Sequence, residues 1–139
     1  MTLELDKLAL QAFLDEVFPQ VAGEFVVETV QEMYSEIRLP VAEKHLRPGG
    51  TVSGPTMFML ADVAVYATVL AMIGKKALAV TTSCSLDFMR KPAAGKDLLA
   101  KCTLLKLGRV LAVGDVLLFS VGEQMPVARA TLTYSIPPK

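Results

Sequence analysis

The sequence predicts an α+β domain in which an antiparallel sheet packs against one long apolar helix. Three observations predict it. An apolar run from Pro55 to Ile73 has no internal breaker, the C-terminal half alternates apolar and polar residues with period two, and 139 residues suffice for one domain with its own core. The apolar share is 53% and the mean hydropathy +0.47. That surplus implies either an unusually large core or apolar surface covered by a second copy, and the second is the expectation taken here.

Residues 2–18 read as an amphipathic helix, with Leu3, Leu10, Phe13, Leu14 and Val17 near one face and Pro19 as its stop. Residues 24–30 and 34–39 alternate well enough for strands. Residues 40–52 are irregular, with Pro48, Gly49 and Gly50 as breakers. The long apolar run follows, with Ser53 as N-cap, Gly54-Pro55 as helix start and Gly74 as stop. It approaches a membrane span in length, but Asp62 at its middle is costly in lipid, so a buried core helix is expected. In the next strand Leu78, Val80, Cys84, Leu86 and Phe88 share one face, and Thr81, Ser83, Ser85 and Asp87 the other. Strands over 98–107 and 110–119 are joined by a two-residue turn at Gly108-Arg109. After a turn at Gly122-Glu123, residues 127–134 close the set, with Ala128, Ala130, Leu132 and Tyr134 facing one way.

Fourteen basic and fourteen acidic residues balance to zero net charge, and no basic stripe stands out, which argues against nucleic acid. Cys84 and Cys102 belong to no Cys/His cluster, so no metal site is expected, and both read as buried free thiols. The N-terminus carries no signal-peptide pattern, and a cytoplasmic location is expected.

Three features carry chemistry. Asp62 has Phe58, Met59, Val65 and Tyr66 as helical neighbours, so its carboxylate is either a reactive acid or a group bonded to a nearby backbone or tyrosine hydroxyl. The glycine-rich start at residues 49–55 leaves room for a ligand beside helix N–H groups, which favour an anion or a developing oxyanion, and it also serves as a plain N-cap. Thr82 intrudes on the apolar face of its strand, to hold a polar partner or to sit at a bulge. One histidine, His45, and no nucleophile elbow or phosphate loop leave a serine–histidine hydrolase without support.

The run HLRPGGTVSGPTMFMLADVA from His45, with FMRKPAAGKDLLA from Phe88 and the turn at Leu107-Gly108-Arg109, resembles the hotdog-fold thioesterase superfamily, in particular the phenylacetate-pathway-like acyl-CoA thioesterases. Gly50, Gly54, Leu60, Ala61, Asp62 and Ala64 match its pattern. The resemblance implies a sheet wrapped around one helix, sheets paired edge to edge in a homodimer or a tetramer, and active sites between subunits. It implies Asp62 as nucleophile or general base, Gly54 as the N–H donor to the thioester oxygen, and Thr82 as the hydroxyl that helps hold water or carboxylate. Gly54 and Asp62 lie eight residues apart, about 12 Å along a helix at ~1.5 Å per residue, so one chain hardly brings both to one carbon. Three positions depart from the family: Arg47 replaces an asparagine, Ser53 a histidine, and Pro55 a glycine, removing an N–H. Arg47 is read as recognising a carboxylate or phosphate, or as pairing with Asp62.

Phe58 and Tyr66, with Met57 and Met59, form an apolar wall for the acyl group, and Arg90, Lys91 and Arg109 are candidate coenzyme A phosphate contacts. Coenzyme A is part of the substrate, so no separate cofactor is expected. The reading is hydrolysis of a medium-chain or aryl acyl-CoA. A non-catalytic acyl-CoA or fatty-acid binder is the alternative, and a hydratase ranks last because the only histidine precedes the glycine loop.

Overall fold

The structure, a computed structural model, describes residues 2–138. Helix α1 spans Lys7–Val17, later than the amphipathic pattern alone implies. Asp6 sets its start, because its carboxylate accepts from Ala9 N at 2.9 Å and caps the first turn. The residues before it run along helix α2 (Gly54–Ile73) instead, with Glu4 N and Leu5 N both donating to Ala71 O. Strands β1 (Val26–Gln31) and β2 (Tyr34–Leu39) form a two-residue hairpin. Met33 occupies its tight position at φ 61°, a left-handed backbone rare outside glycine.

Helix α2 has the expected caps. Ser53 accepts from Thr56 N, and Gly74 ends the helix at φ 90°. It has no polar face, and fourteen of its residues, from Thr56 to Met72, are buried, so it is the core helix of the domain. Its buried Thr68 hydroxyl bonds Ser35 Oγ at 2.7 Å and Ala64 O, tying the helix to β2. The same face of the helix meets Gly114 of the sheet closely: a Cβ built on that glycine would lie 3.0 Å from Val65 Cγ2. A methyl group there would need the Val65 or Leu104 side chain to give way slightly.

The remaining strands are β3 (Val80–Phe88), β4 (Leu98–Leu107), β5 (Leu111–Ser120) and β6 (Ala128–Ser135). The turn between β4 and β5 falls one residue later than expected. Gly108 N closes it on Leu111 O, leaving Arg109 and Val110 at the tip. All six strands make one antiparallel sheet in the order β1-β2-β4-β5-β6-β3, curled over α2 as the hotdog resemblance implies. The chain therefore crosses from one edge of the sheet, β3, back to its middle at β4.

The expected faces of β3 need correction. A bulge between Thr81 and Ser83 places one extra residue, Thr82, in the strand. The extra residue shifts the alternation by one step. Thr81 therefore pairs with Tyr134 on the inner face, and Val80, paired with Ser135, turns outward and is 56% exposed.

The sheet has two unlike edges. Along β1, the Gln11 side chain of α1 donates to Phe25 O at 3.0 Å and accepts from Val27 N at 2.8 Å, as another strand would. Along β3 no strand among the described residues pairs with the outer edge, and Phe88, 54% exposed, lies on it.

Candidate active site

The long helix carries Asp62 to the inner face of the sheet near its β3 edge. The carboxylate is half-buried and bonded through one oxygen. Oδ1 accepts from Thr81 Oγ1 at 2.5 Å and from Tyr134 Oη at 2.6 Å, and Tyr134 Oη also reaches Asp62 O at 3.1 Å. Oδ2 has no protein partner, and no buried polar side-chain atom among the described residues lacks one, so Oδ2 opens outward. Asp62 lines a cavity of about 520 Å³ together with Val17, Phe18, Val63, Tyr66, Val80 and Thr81 among others. Burial, reinforced by the Asp62 charge, holds the Tyr134 phenol far above its usual range. Burial first and the same charge second raise the Cys84 thiol. Tyr66 lines the cavity too, its hydroxyl fixed on Ala77 O at 2.7 Å.

Thr82 does not hold this carboxylate. At the bulge its hydroxyl is exposed and donates to Thr133 O at 3.3 Å, and the hydroxyl on Asp62 belongs to the preceding residue, Thr81. Regular alternation hides the exchange, because Val80 and Cys84 are spaced as if no residue had been inserted. Tyr134 is the other residue at this carboxylate that the sequence pattern does not mark as chemical. Its place on an apolar face was the available signal, since a buried phenol needs a partner.

Gly54 opens a second cavity, about 360 Å³, whose lining shares no residue with the first. Its first-turn amides are nearly all spent. Thr56 N donates to Ser53 Oγ, Met57 N donates to Ser53 O, and Pro55 has no N–H. Gly54 N–H is left as the one donor of that turn without an acceptor among the described residues. Ser53 is committed to capping, its hydroxyl also donating to Thr56 Oγ1 at 2.9 Å, and Pro55 is exposed. Phe88 packs against Gly54, where a Cβ would sit 3.2 Å from its Cζ.

Arg47, Arg90 and Lys91 line the Gly54 cavity, and no acidic residue does. Arg47 makes no ion pair with Asp62 within the chain, because the two belong to separate cavities. Arg109 stands apart from Arg90 and Lys91, in a cleft of about 760 Å³ beyond the other end of α2, with Ile73, Lys76 and Ile136. Phe58, one turn before Asp62, is 41% exposed and lines neither cavity. His45 is buried and structural: Nδ1 accepts from Ala42 N, and Nε2 faces Glu24 Oε1 at 3.3 Å. Of the cysteines Cys102 is fully buried and Cys84 half-buried, and both are free. Among the described residues no cluster of His, Cys, Asp and Glu is built to hold a metal.

Within one chain, then, a carboxylate and a lone amide donor face different spaces. The model of the thioesterase superfamily matches residues 49–127, a stretch that contains both. A candidate thioesterase from Silicibacter sp. TM1040 is 64% identical, with 99% of this chain and 96% of that one covered, at a TM-score of 0.93. The phenylacetic acid degradation protein PaaI from Thermus thermophilus, in mutant form, is 26% identical over 86% of this chain and 99% of that one, at 0.72. A hypothetical thioesterase from Streptococcus pneumoniae, solved with coenzyme A, is 19% identical over 91% of this chain and 98% of that one, at 0.78. No curated protein matches this sequence.

Proposed function

Because this chain belongs to the thioesterase superfamily and is a thioester hydrolase, we propose that it cleaves acyl-CoA thioesters in a homodimer, with Asp62 of one subunit and Gly54 of the other at each site. The observation that carries the proposal is the division just described. Asp62 Oδ2 faces one cavity without a partner, and the single unspent amide of α2 faces another. A second subunit docked on the uncovered β3 edge supplies what each half lacks.

In this reading the Gly54 N–H polarises the thioester carbonyl oxygen. Asp62 Oδ2 either takes a proton from the attacking water or attacks the carbonyl carbon itself. In the first course water adds to the carbon, the C–S bond breaks, and the proton held by Asp62 passes to the coenzyme A sulfur, leaving the free acid and the thiol. In the second the C–S bond breaks to leave an acyl–Asp62 anhydride. A water molecule then cleaves that anhydride, releasing the acid and supplying the proton for the thiolate. The coenzyme A class rests on two supports: the ligand of the Streptococcus pneumoniae neighbour, a protein alike in fold, and the acid-free cationic lining of Arg47, Arg90 and Lys91. Arg109, in its distant cleft, belongs to this set only if another subunit brings it there. The apolar residues Val17, Phe18, Val63 and Tyr66 suit a medium-chain or aryl acyl group.

Thiol release measured over a panel of acyl-CoA substrates tests the reading. Asp62→Ala is expected to lower kcat by about 100-fold to 10,000-fold, the usual worth of a general base, with the fold kept. An Asp62→Ala protein as active as the parent refutes the role of the carboxylate. Single turnover in ¹⁸O-labelled water separates the two chemistries, because only a nucleophilic Asp62 acquires the label.

A further inference from the structure

We infer that Tyr134 is a positioning residue that selects which oxygen of Asp62 reacts; the inference rests on Asp62 being the reactive acid. Thr81 and Tyr134 are direct cross-strand partners on β3 and β6, so their side chains leave the inner face of the sheet side by side. Both hydroxyls end on the same atom, Oδ1, at 2.5 and 2.6 Å. Two O–H donors occupy that oxygen, and Oδ2 is left as the oxygen of this cavity-lining carboxylate that no donor among the described residues holds.

The two donors differ in how firmly they are held. Thr81 lies on an edge strand, beside a bulge, and a threonine hydroxyl can rotate toward other acceptors. Tyr134 lies on an interior strand, is 3% exposed, and packs against Tyr66 at 6.1 Å between ring centroids. Tyr66 is itself anchored on Ala77 O and met edge-on by Phe18. The phenol's one hydrogen is shared, mainly with Oδ1 and more weakly with the Asp62 backbone carbonyl at 3.1 Å, so it registers the carboxylate against its own helix turn. Such a group holds a fixed direction through turnover, and its value is in orientation: small misplacements of a reacting atom cost large factors in rate.

The experiment compares Tyr134→Phe, Thr81→Val, Thr81→Ser, Thr82→Ala and Asp62→Asn in the full-length protein, reading kcat, KM and melting temperature. Tyr134→Phe keeps the ring and its packing and removes only the donor. Its kcat is expected to fall by about 10-fold to 100-fold with KM unchanged, as for a misaligned reacting group. Thr81→Val should fall less, Thr81→Ser should recover part of that loss, and Thr82→Ala should stay near the parent. A Tyr134→Phe protein with the parent's kcat overturns the inference. So does one whose activity loss follows its loss of folded protein, which marks a structural hydroxyl only. The Asp62→Asn arm separates the two levels. If it is inactive while Tyr134→Phe is normal, the positioning role alone fails, and if it is fully active, the reading of Asp62 fails with it.

Discussion

The two edges of the sheet solve opposite problems. At β1 the unpaired backbone is answered within the chain, by the Gln11 amide on Phe25 O and Val27 N. At β3 it is left open, beside the exposed Val80 and Phe88. An open edge invites another strand, and proteins usually blunt edges they do not use. The chemistry follows the same asymmetry. Thr81, which holds Asp62, lies on the open strand, and Phe88 of the same strand packs on Gly54. The closed side carries Glu24, Lys44 and His45, whose contacts are structural.

The largest test of this contrast is to charge the middle of the open edge. Ser83→Lys with Ser85→Lys places cations at exposed positions that line neither cavity, near where two β3 strands would cross. Like charges opposed across a strand pair destabilise it. The variant should elute as a 15.0 kDa monomer in size exclusion. It should also lose about 100-fold or more in turnover, as removal of an oxyanion donor does. A monomer with full turnover would show that one chain holds a complete site.

At the closed edge, Gln11→Ala removes both bonds to β1. Chemical denaturation should report a loss of about 1–3 kcal/mol, the cost of leaving backbone groups unsatisfied, with turnover unchanged. The smallest effect is at Glu24. The Lys44 ammonium, and after it the His45 ring, holds its carboxyl below the ordinary value of 4.5 against the opposing effect of burial. The stability it contributes is present above pH 4.5 and fades as the pH falls through its lowered value in the folded protein. Glu24→Gln should flatten that acid limb of a melting-temperature profile without altering activity.

Local patterns announced much of this molecule. Ser53 and Gly74 bracket α2 in the sequence and in space, and β2 and β4 fall on their periodic runs because each alternates cleanly against a buried face. Asp62 and Gly54 could be singled out as a lone acid and a glycine at a helix start. What stayed hidden depends on partners distant in the chain. The bulge that exchanges Thr82 for Thr81 arises in the pairing of β3 with β6, some fifty residues later. Tyr134 meets Asp62 across 72 positions. The alternatives for Asp62 did include a tyrosine hydroxyl, and for Thr82 a bulge, and the fold adopts both. The Gln11 bond to β1 had no signature, because a glutamine on a helix face reads as an ordinary solvated residue.

The bare backbone at Gly114 acts as a spacer gauge. It lets β5 settle against Val65, one turn of α2 beyond Asp62, while its ladder partner Leu132 lies two residues from Tyr134 on β6. A methyl group added there would press on Val65 and Leu104, at the packing layer beside the acid and the phenol that grips it. The reach of a tyrosine is fixed, so the tolerance of that grip is written into a position that bears no side chain.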